Sequence, residues 1–188
     1  MEQLSISTTR LRLRHLVASD LSDFHAYRSD PKVTQYQSFE PYSLAQAEAF
    51  ILENTNFNFG HPGEWVQFGI ENVNQNLLIG DFAIKIDQYH PQLVEIGITI
   101  AREEQQKGYA KEAVLGLLDY LFAKKGIHRV SALTDVKNTA SIQLLKSVGF
   151  RKEAHFIENV FFKGQWESEY QFALLKREWR PEKFKTNL

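Results

Sequence analysis

VEIGITIAREEQQKGYAKEAVLGLLDYLFAKKG, residues 94–126, holds a strand, a polar turn and a helix in direct succession. Val94, Ile96, Ile98 and Ile100 alternate with Glu95, Gly97 and Thr99, the period of two that a pleated strand requires. After the polar turn 102–108, Ala113, Val114, Leu117, Leu118, Leu121 and Phe122 recur at helical spacing along one face. Lys124, Lys125 and Gly126 close that helix with positive charge and a C′ glycine. A strand, a glycine-containing turn and a helix in this order leave free backbone N–H groups at the helix N-terminus, where an anion can sit.

Outward from this stretch the chain keeps alternating between strand and helix. Residues 129–135 form a further strand, and 138–148 form a short helix with Ile142, Leu144, Leu145 and Val148 apolar, closed by Gly149. Two long strands, 151–163 and 165–175, meet at Lys163-Gly164, a hairpin turn. On the N-terminal side, 65–71 and 77–87 are strands joined by the polar segment 72–76, and 57–64 is a loop punctuated by Gly60, Pro62 and Gly63. Ser43 with Gln46 is a capping-box signature, opening a helix through Ala47, Phe50, Ile51 and Asn54. Ser19 or Asp20 caps an earlier helix that Asp30-Pro31 stops. Residues 10–16 make a first strand with Leu11, Leu13 and His15 on one side and Arg10, Arg12 and Arg14 on the other. The basic tail from 176 onward is expected to fray. With no repeat or linker, the order of elements predicts one domain over residues 1–188, α+β in class, with helices covering a mixed sheet.

Composition narrows the functional classes. A net charge of −1 gives no global attraction to nucleic acid, and no apolar run reaches membrane-spanning length. The N-terminal residues lack the apolar core of a signal peptide, so a cytoplasmic protein is expected. The absence of cysteine excludes disulfides, thiolate metal sites and an acyl-cysteine intermediate. The six histidines show no metal-ligand spacing, and no metal is expected.

The turn Gln105-Gln106-Lys107-Gly108-Tyr109-Ala110 is neither a Walker A loop nor a dinucleotide fingerprint. Gly108 and Ala110 are small enough for close backbone approach, and residues up to Lys111 offer N–H donors, although glycine is common in ordinary strand-to-helix loops. The wider pattern is more telling. Gln-x-x-Gly-x-Ala after Glu95-Ile96-Gly97, then Asn138-Thr139-Ala140-Ser141, Leu144-Leu145 and Gly149-Phe150 resembles the GNAT superfamily of acyl-CoA-dependent N-acetyltransferases. The opening TTRLRLRHL, Asp30-Pro31-Lys32-Val33, Leu78-Ile79-Gly80 and the 166–179 region are similar to its RimJ/RimL-like branch. Together the motifs span residues 9–179; one departure is Gln106, where the family often has glycine.

The resemblance implies a three-layer α/β/α fold with a mostly antiparallel sheet of about seven strands, splayed between strands 4 and 5, those starting near Val94 and Arg129. It implies acetyl-CoA as co-substrate, its pantetheine arm along Ile98, Thr99 and Ile100 and its pyrophosphate on amides of Gln105, Gln106, Lys107, Gly108, Tyr109, Ala110 and Lys111. Asn138 corresponds to the family asparagine that bonds the cofactor arm, and an N-cap role is its alternative. Acetyl transfer needs an unprotonated amine, an oxyanion donor and a proton for the departing thiolate. Without cysteine, direct attack in a ternary complex is the simpler route, with a backbone N–H near Ile98 or Thr99 as oxyanion donor.

Many members place a tyrosine acid where this chain has Leu145; RimL-like members have a serine where Ser141 stands. Ser141 could equally bond within the first helical turn, and a thiol of pKa about 8.5 leaves readily without a strong acid. Base candidates are Glu95 and Glu158, the latter two residues before Val160, where RimL-like proteins carry a glutamate. Solvated or ion-paired strand residues are the plainer reading of both. Seven acids between Leu16 and Glu64 suit either a cationic acceptor or a solvated helix surface, while Tyr36, Phe39, Tyr42, Phe57, Phe59 and Trp65 could line an acceptor cleft or a core. The expected activity is acetylation of a protein or peptide N-terminus or a small-molecule amine, by a monomer or homodimer without nucleic-acid or membrane partners. The alternative is a CoA-binding module without turnover, with an interaction protein lacking CoA affinity as a third class.

Overall fold

The computed structural model describes residues 4–54 and 62–183. Within them, period-two alternation builds eight strands: β1 (Ser5–Ser7), β2 (Leu11–His15), β3 (Trp65–Asn72), β4 (Leu77–Ile86), β5 (Leu93–Ile100), β6 (Arg129–Asp135), β7 (Arg151–Phe162) and β8 (Gln165–Leu175). They lie in one sheet in the order β1-β2-β3-β4-β5-β6-β8-β7. Every neighbouring pair is antiparallel except β5–β6. That pair is parallel because a helical crossover joins it. The eighth strand is β1, three residues whose register on β2 makes an N-terminal hairpin that periodicity over so short a run does not reveal.

Five helices cover the two faces: α1 (Leu21–Arg28), α2 (Pro31–Thr34), α3 (Leu44–Asn54), α4 (Tyr109–Asp119) and α5 (Thr139–Ser147). On one face, Leu13, Phe68, Ile70, Phe82, Ile96 and Phe172 pack against Ala113, Val114, Leu117 and Leu118 of α4 and Leu145 of α5. On the other, Phe24, Tyr27, Ala47 and Ile51 from α1 and α3 pack with Leu16 and Leu78. The capping box opens α3 as expected: Ser43 N–H donates to Gln46 Oε1 at 2.8 Å and Gln46 N–H to Ser43 Oγ at 3.3 Å.

Three local expectations are revised. Asp20 makes no cap bond to α1; its carboxylate accepts from Arg14 and from Val17 N–H instead. Asp30-Pro31 ends α1 and also starts α2, since Asp30 accepts from Lys32 N–H at 2.8 Å and proline fits a first helical turn. The tail does not fray at once, because Trp179 is buried against Phe122. The end of α4 continues as a π-helical turn, Tyr120–Lys124, before Gly126 reverses the chain at φ +68°. Phe57, Phe59 and His61 lie outside the described residues. No helix among the described residues is long and apolar enough to cross a membrane.

Candidate active site

The β5–β6 ladder has three rungs, Leu93↔Arg129, Val94↔Val130 and Glu95↔Ser131. Beyond them β5 continues only with β4 and β6 only with β8. The strands therefore part after Glu95, between the two strands expected to splay. Past the fork, Ile98 and Ile100 turn their carbonyls away from β4: Ile98 O accepts from Gln37 Nε2 at 3.5 Å and Ile100 O from Gln105 Nε2 at 3.0 Å. In a strand the N–H and C=O of one residue point to the same side, so the N–H groups of Ile98 and Ile100 also face the fork. Thr99 differs. A Cβ built on Gly80 of β4 would stand 2.2 Å from Thr99 O, which marks the Thr99 peptide as facing β4. Of the two oxyanion donors expected, Ile98 has the required direction.

The same strand leads into the turn. Gln105, Gln106, Lys107 and Gly108 are exposed, and Gln106 and Gly108 adopt left-handed φ of +62° and +83°. Left-handed residues in a tight turn bring successive N–H groups round to one concave side. Gly108 is the N-cap of α4 and supplies no capping side chain. Tyr109, Ala110 and Lys111 form the helix's first turn, so the donors of the helix start are presented outward. The turn fits a phosphate: small residues, a helix N-terminus and the partial positive charge that accompanies it.

Across the fork, Asn138 caps α5, its Oδ1 accepting from Ser141 N–H at 3.1 Å. Its amide nitrogen stays available, so capping and ligand contact can coexist. Ser141 is half-buried in that first turn. Leu145, at the family tyrosine position, is 4% exposed and belongs to the core.

By register, Glu95 of β5, Ser131, Leu133 and Asp135 of β6, and Glu169 and Gln171 of β8 share one sheet face. It remains open beyond α1 and α3, with Leu133 40% exposed. Burial pushes the Glu95 carboxyl up, opposed by Lys85 and reinforced by Glu169. Glu158 does not share Val160's face by simple alternation. Between Phe156↔Glu169 and Val160↔Glu167, four residues of β7 advance against two of β8, and Glu158 sits in the bulge at φ +46°. Its N–H donates to Ser168 Oγ at 2.9 Å and its side chain is exposed.

Opposite Val160 lies a carboxylate that sequence reading missed. Glu167 is 7% exposed and receives Lys137 Nζ at 2.7 Å on each oxygen. Cross-strand register depends on the bulge, so no spacing rule would have found it.

Of the acids between Leu16 and Glu64, several serve the fold. Asp20 binds Arg14, Asp23 accepts from Leu78 N–H and Asp30 caps α2. The segment after α2 forms the rim of the fork: Gln37 reaches Ile98, and Lys163 of the β7–β8 turn donates to Thr34 O at 2.7 Å. Phe39 and Tyr42 pack on one another and over Arg28, while Trp65 is 44% exposed near Lys85. Among the described residues no group of His, Asp or Glu could hold a metal.

Comparison with known proteins agrees with this geometry. Residues 10–151 match the acetyltransferase (GNAT) domain family. The uncharacterized N-acetyltransferase p20 of Bacillus licheniformis is 31% identical over 93% of this chain and 98% of its own length. A GNAT-family acetyltransferase from Bacillus anthracis superposes with a TM-score of 0.84 at 26% identity, covering 93% of this chain and 100% of that one. The spermidine N-acetyltransferase of Vibrio cholerae, solved with CoA and spermine, gives 0.76 at 27% identity over 91% of this chain and 98% of its own.

Proposed function

The chain belongs to the GNAT acetyltransferase family and is an acetyl-CoA-dependent N-acetyltransferase, and we propose that its acceptor is a small cationic primary amine. One observation carries the acceptor: the open sheet face beside the fork presents Glu95, Asp135 and Glu169 together, with Glu167 beyond them. A cluster of carboxylates on a half-buried surface favours a ligand carrying more than one positive charge. The likeness to a spermidine acetyltransferase solved with spermine supports the same class. Membership of an N-acetyltransferase family favours an enzyme over a CoA-binding module.

In this proposal the turn 105–111 holds the acetyl-CoA pyrophosphate, the edge of β5 at Ile98 and Ile100 pairs with the pantetheine arm while the Thr99 peptide faces β4 and does not, and Asn138 Nδ2 bonds that arm. Acetyl-CoA supplies the activated acetyl group as a thioester. Glu95 accepts the proton that the amine must lose, directly or through one water, and its raised pKa suits that task. As the new C–N bond forms and the C–S bond breaks, Ile98 N–H stabilises the oxygen charge and Ser141 Oγ–H delivers a proton to the departing sulfur. Leu145 fills the core instead of serving as an acid. Glu158, exposed on its bulge, is the weaker base candidate. We read residues 9–179 as the core of one domain working in the cytoplasm, since a cysteine-free chain draws nothing from an oxidising compartment.

An acceptor panel tests this. Thiol release from acetyl-CoA is followed with spermidine, spermine, an amino sugar, and peptides beginning with Ser or Ala. The polyamines are expected to give the highest kcat/KM, with a KM that rises with salt because screening weakens charge recognition. A peptide preferred over both polyamines would overturn the acceptor and favour the RimJ/RimL-like branch.

A further inference from the structure

The opening Thr8-Thr9-Arg10 has no part in the chemistry above, yet it is fastened to the acetyl-CoA turn across the molecule. It forms the hairpin turn between β1 and β2. Facing it is Glu112 of α4, 2% exposed. Glu112 Oε1 accepts from Thr8 Oγ1 at 2.6 Å and from Arg10 N–H at 2.7 Å, and Oε2 accepts from Arg10 Nε at 2.6 Å. Burial alone would raise this carboxyl, but these bonds outweigh it and hold the pKa below the ordinary value.

One helical turn on, a Cβ at Gly116 would stand 2.7 Å from Thr8 Cγ2. Glycine is unfavourable in a helix interior, and here it lets the hairpin turn lie flat on α4. The far end of Arg10 reaches the ligand side. Nη1 donates to Lys107 O at 3.1 Å, the guanidinium lies 4.4 Å from the centre of the Tyr109 ring, and Nη2 is 3.3 Å from where a Gly108 Cβ would be. One side chain thus braces three successive residues of a turn that is otherwise exposed. The Tyr109 ring is fixed from its other end by Asn72 Nδ2, 3.0 Å from its hydroxyl.

Such bracing has a purpose. Gln106 holds a left-handed φ without being glycine, a conformation that persists only where surroundings enforce it. We propose that Arg10, anchored by Glu112, is a positioning residue that keeps the turn 105–109 in its phosphate-accepting shape and adds a cation at its rim. It acts on the phosphate-bearing part of the acyl donor and leaves the acceptor side alone. The inference rests on the reading that this turn receives the pyrophosphate of acetyl-CoA.

The test compares two acyl donors: acetyl-CoA, and S-acetylpantetheine, which carries the same thioester without the pyrophosphate. In Arg10→Met the ratio of kcat/KM for acetyl-CoA over S-acetylpantetheine is expected to fall about tenfold, the loss of one charge-assisted contact. A variant acting only through general stability would depress both donors and leave the ratio unchanged, and that result overturns the proposal. If Arg10→Met does not fold, Glu112→Gln, which keeps the shape but weakens the anchor, is expected to move the ratio the same way. An unmoved ratio in a folded Glu112→Gln would equally overturn it. The underlying reading fails separately: a natural sequence that uses both donors equally well has no pyrophosphate site in this turn.

Discussion

Glu95 stands at the last rung of the β5–β6 ladder, opposite Lys85 on β4 and on the same face as Glu169. Its carboxyl is raised by burial first, lowered by the Lys85 cation and raised again by the Glu169 charge. If Glu95 takes the amine proton, its working form is the carboxylate, and activity is lost as pH falls through its raised pKa. Glu169→Gln removes a like charge, lowers that pKa and should shift the acid limb of kcat/KM for the amine to lower pH. Lys85→Met removes the opposing cation and should shift the limb upward. Taking each variant's rate relative to the natural sequence at the same pH cancels the titration of the amine itself. Limbs that stay fixed in both variants would remove Glu95 from the proton path. Asn138 spends its oxygen on the α5 cap, which leaves its nitrogen for the ligand contact proposed above.

Within the elements, the strain in the strand-to-helix turn can be tested directly. A non-glycine residue in the left-handed region costs about 1–2 kcal/mol, partly offset because glycine loses more entropy on folding. Gln106→Gly should therefore raise stability by about 0.5 kcal/mol, read as a small increase in the denaturation midpoint. Gly108→Ala should do the reverse and cost more, since it adds strain at φ +83° and a Cβ 3.3 Å from Arg10 Nη2. Equal effects from both substitutions would mean that the turn relaxes, in conflict with the bracing described above. The β7–β8 turn obeys its own chemistry, with Lys163 at φ +46° and Gly164 at +83°, both left-handed as a two-residue hairpin turn demands. There Lys163 bends back to Thr34 O, so the hairpin tip joins the rim of the fork.

At the scale of the whole molecule, what the sequence disclosed followed the range of the interactions. Strands at Val94 and Arg129, the α3 capping box and the fork were legible because each is written in neighbouring residues or in a family pattern. The Arg10–Glu112 anchor, the Glu167 carboxylate opposite Val160 and the bulge carrying Glu158 were not, since each arises from pairing between distant strands or helices. The acid-rich stretch before Glu64 misled in the same way: Asp20, Asp23 and Asp30 look like a surface until their partners are known. A buried ion pair ties the α1–α3 core to the sheet. Asp81 of β4, fully buried, receives Arg28 Nη2 at 2.7 Å, Tyr27 Oη at 2.7 Å and Gln67 Nε2 at 2.5 Å, while Phe39 covers the guanidinium at 4.1 Å. This network fastens α1, and through Phe39 the rim carrying Gln37, to the sheet beneath. Removing one partner strands a charge in the interior, so Arg28→Met should cost about 3–5 kcal/mol in chemical denaturation. Removing both, as Arg28→Met with Asp81→Leu, should cost clearly less than the sum of the two single changes, because no charge is left unpaired. In the double variant, loss of the guanidinium beneath Phe39 should still raise KM for the amine more than for acetyl-CoA, since only the acceptor rim depends on it. A cycle that is additive in stability, with both KM values moving together, would show that the pair holds the fold without shaping the acceptor side.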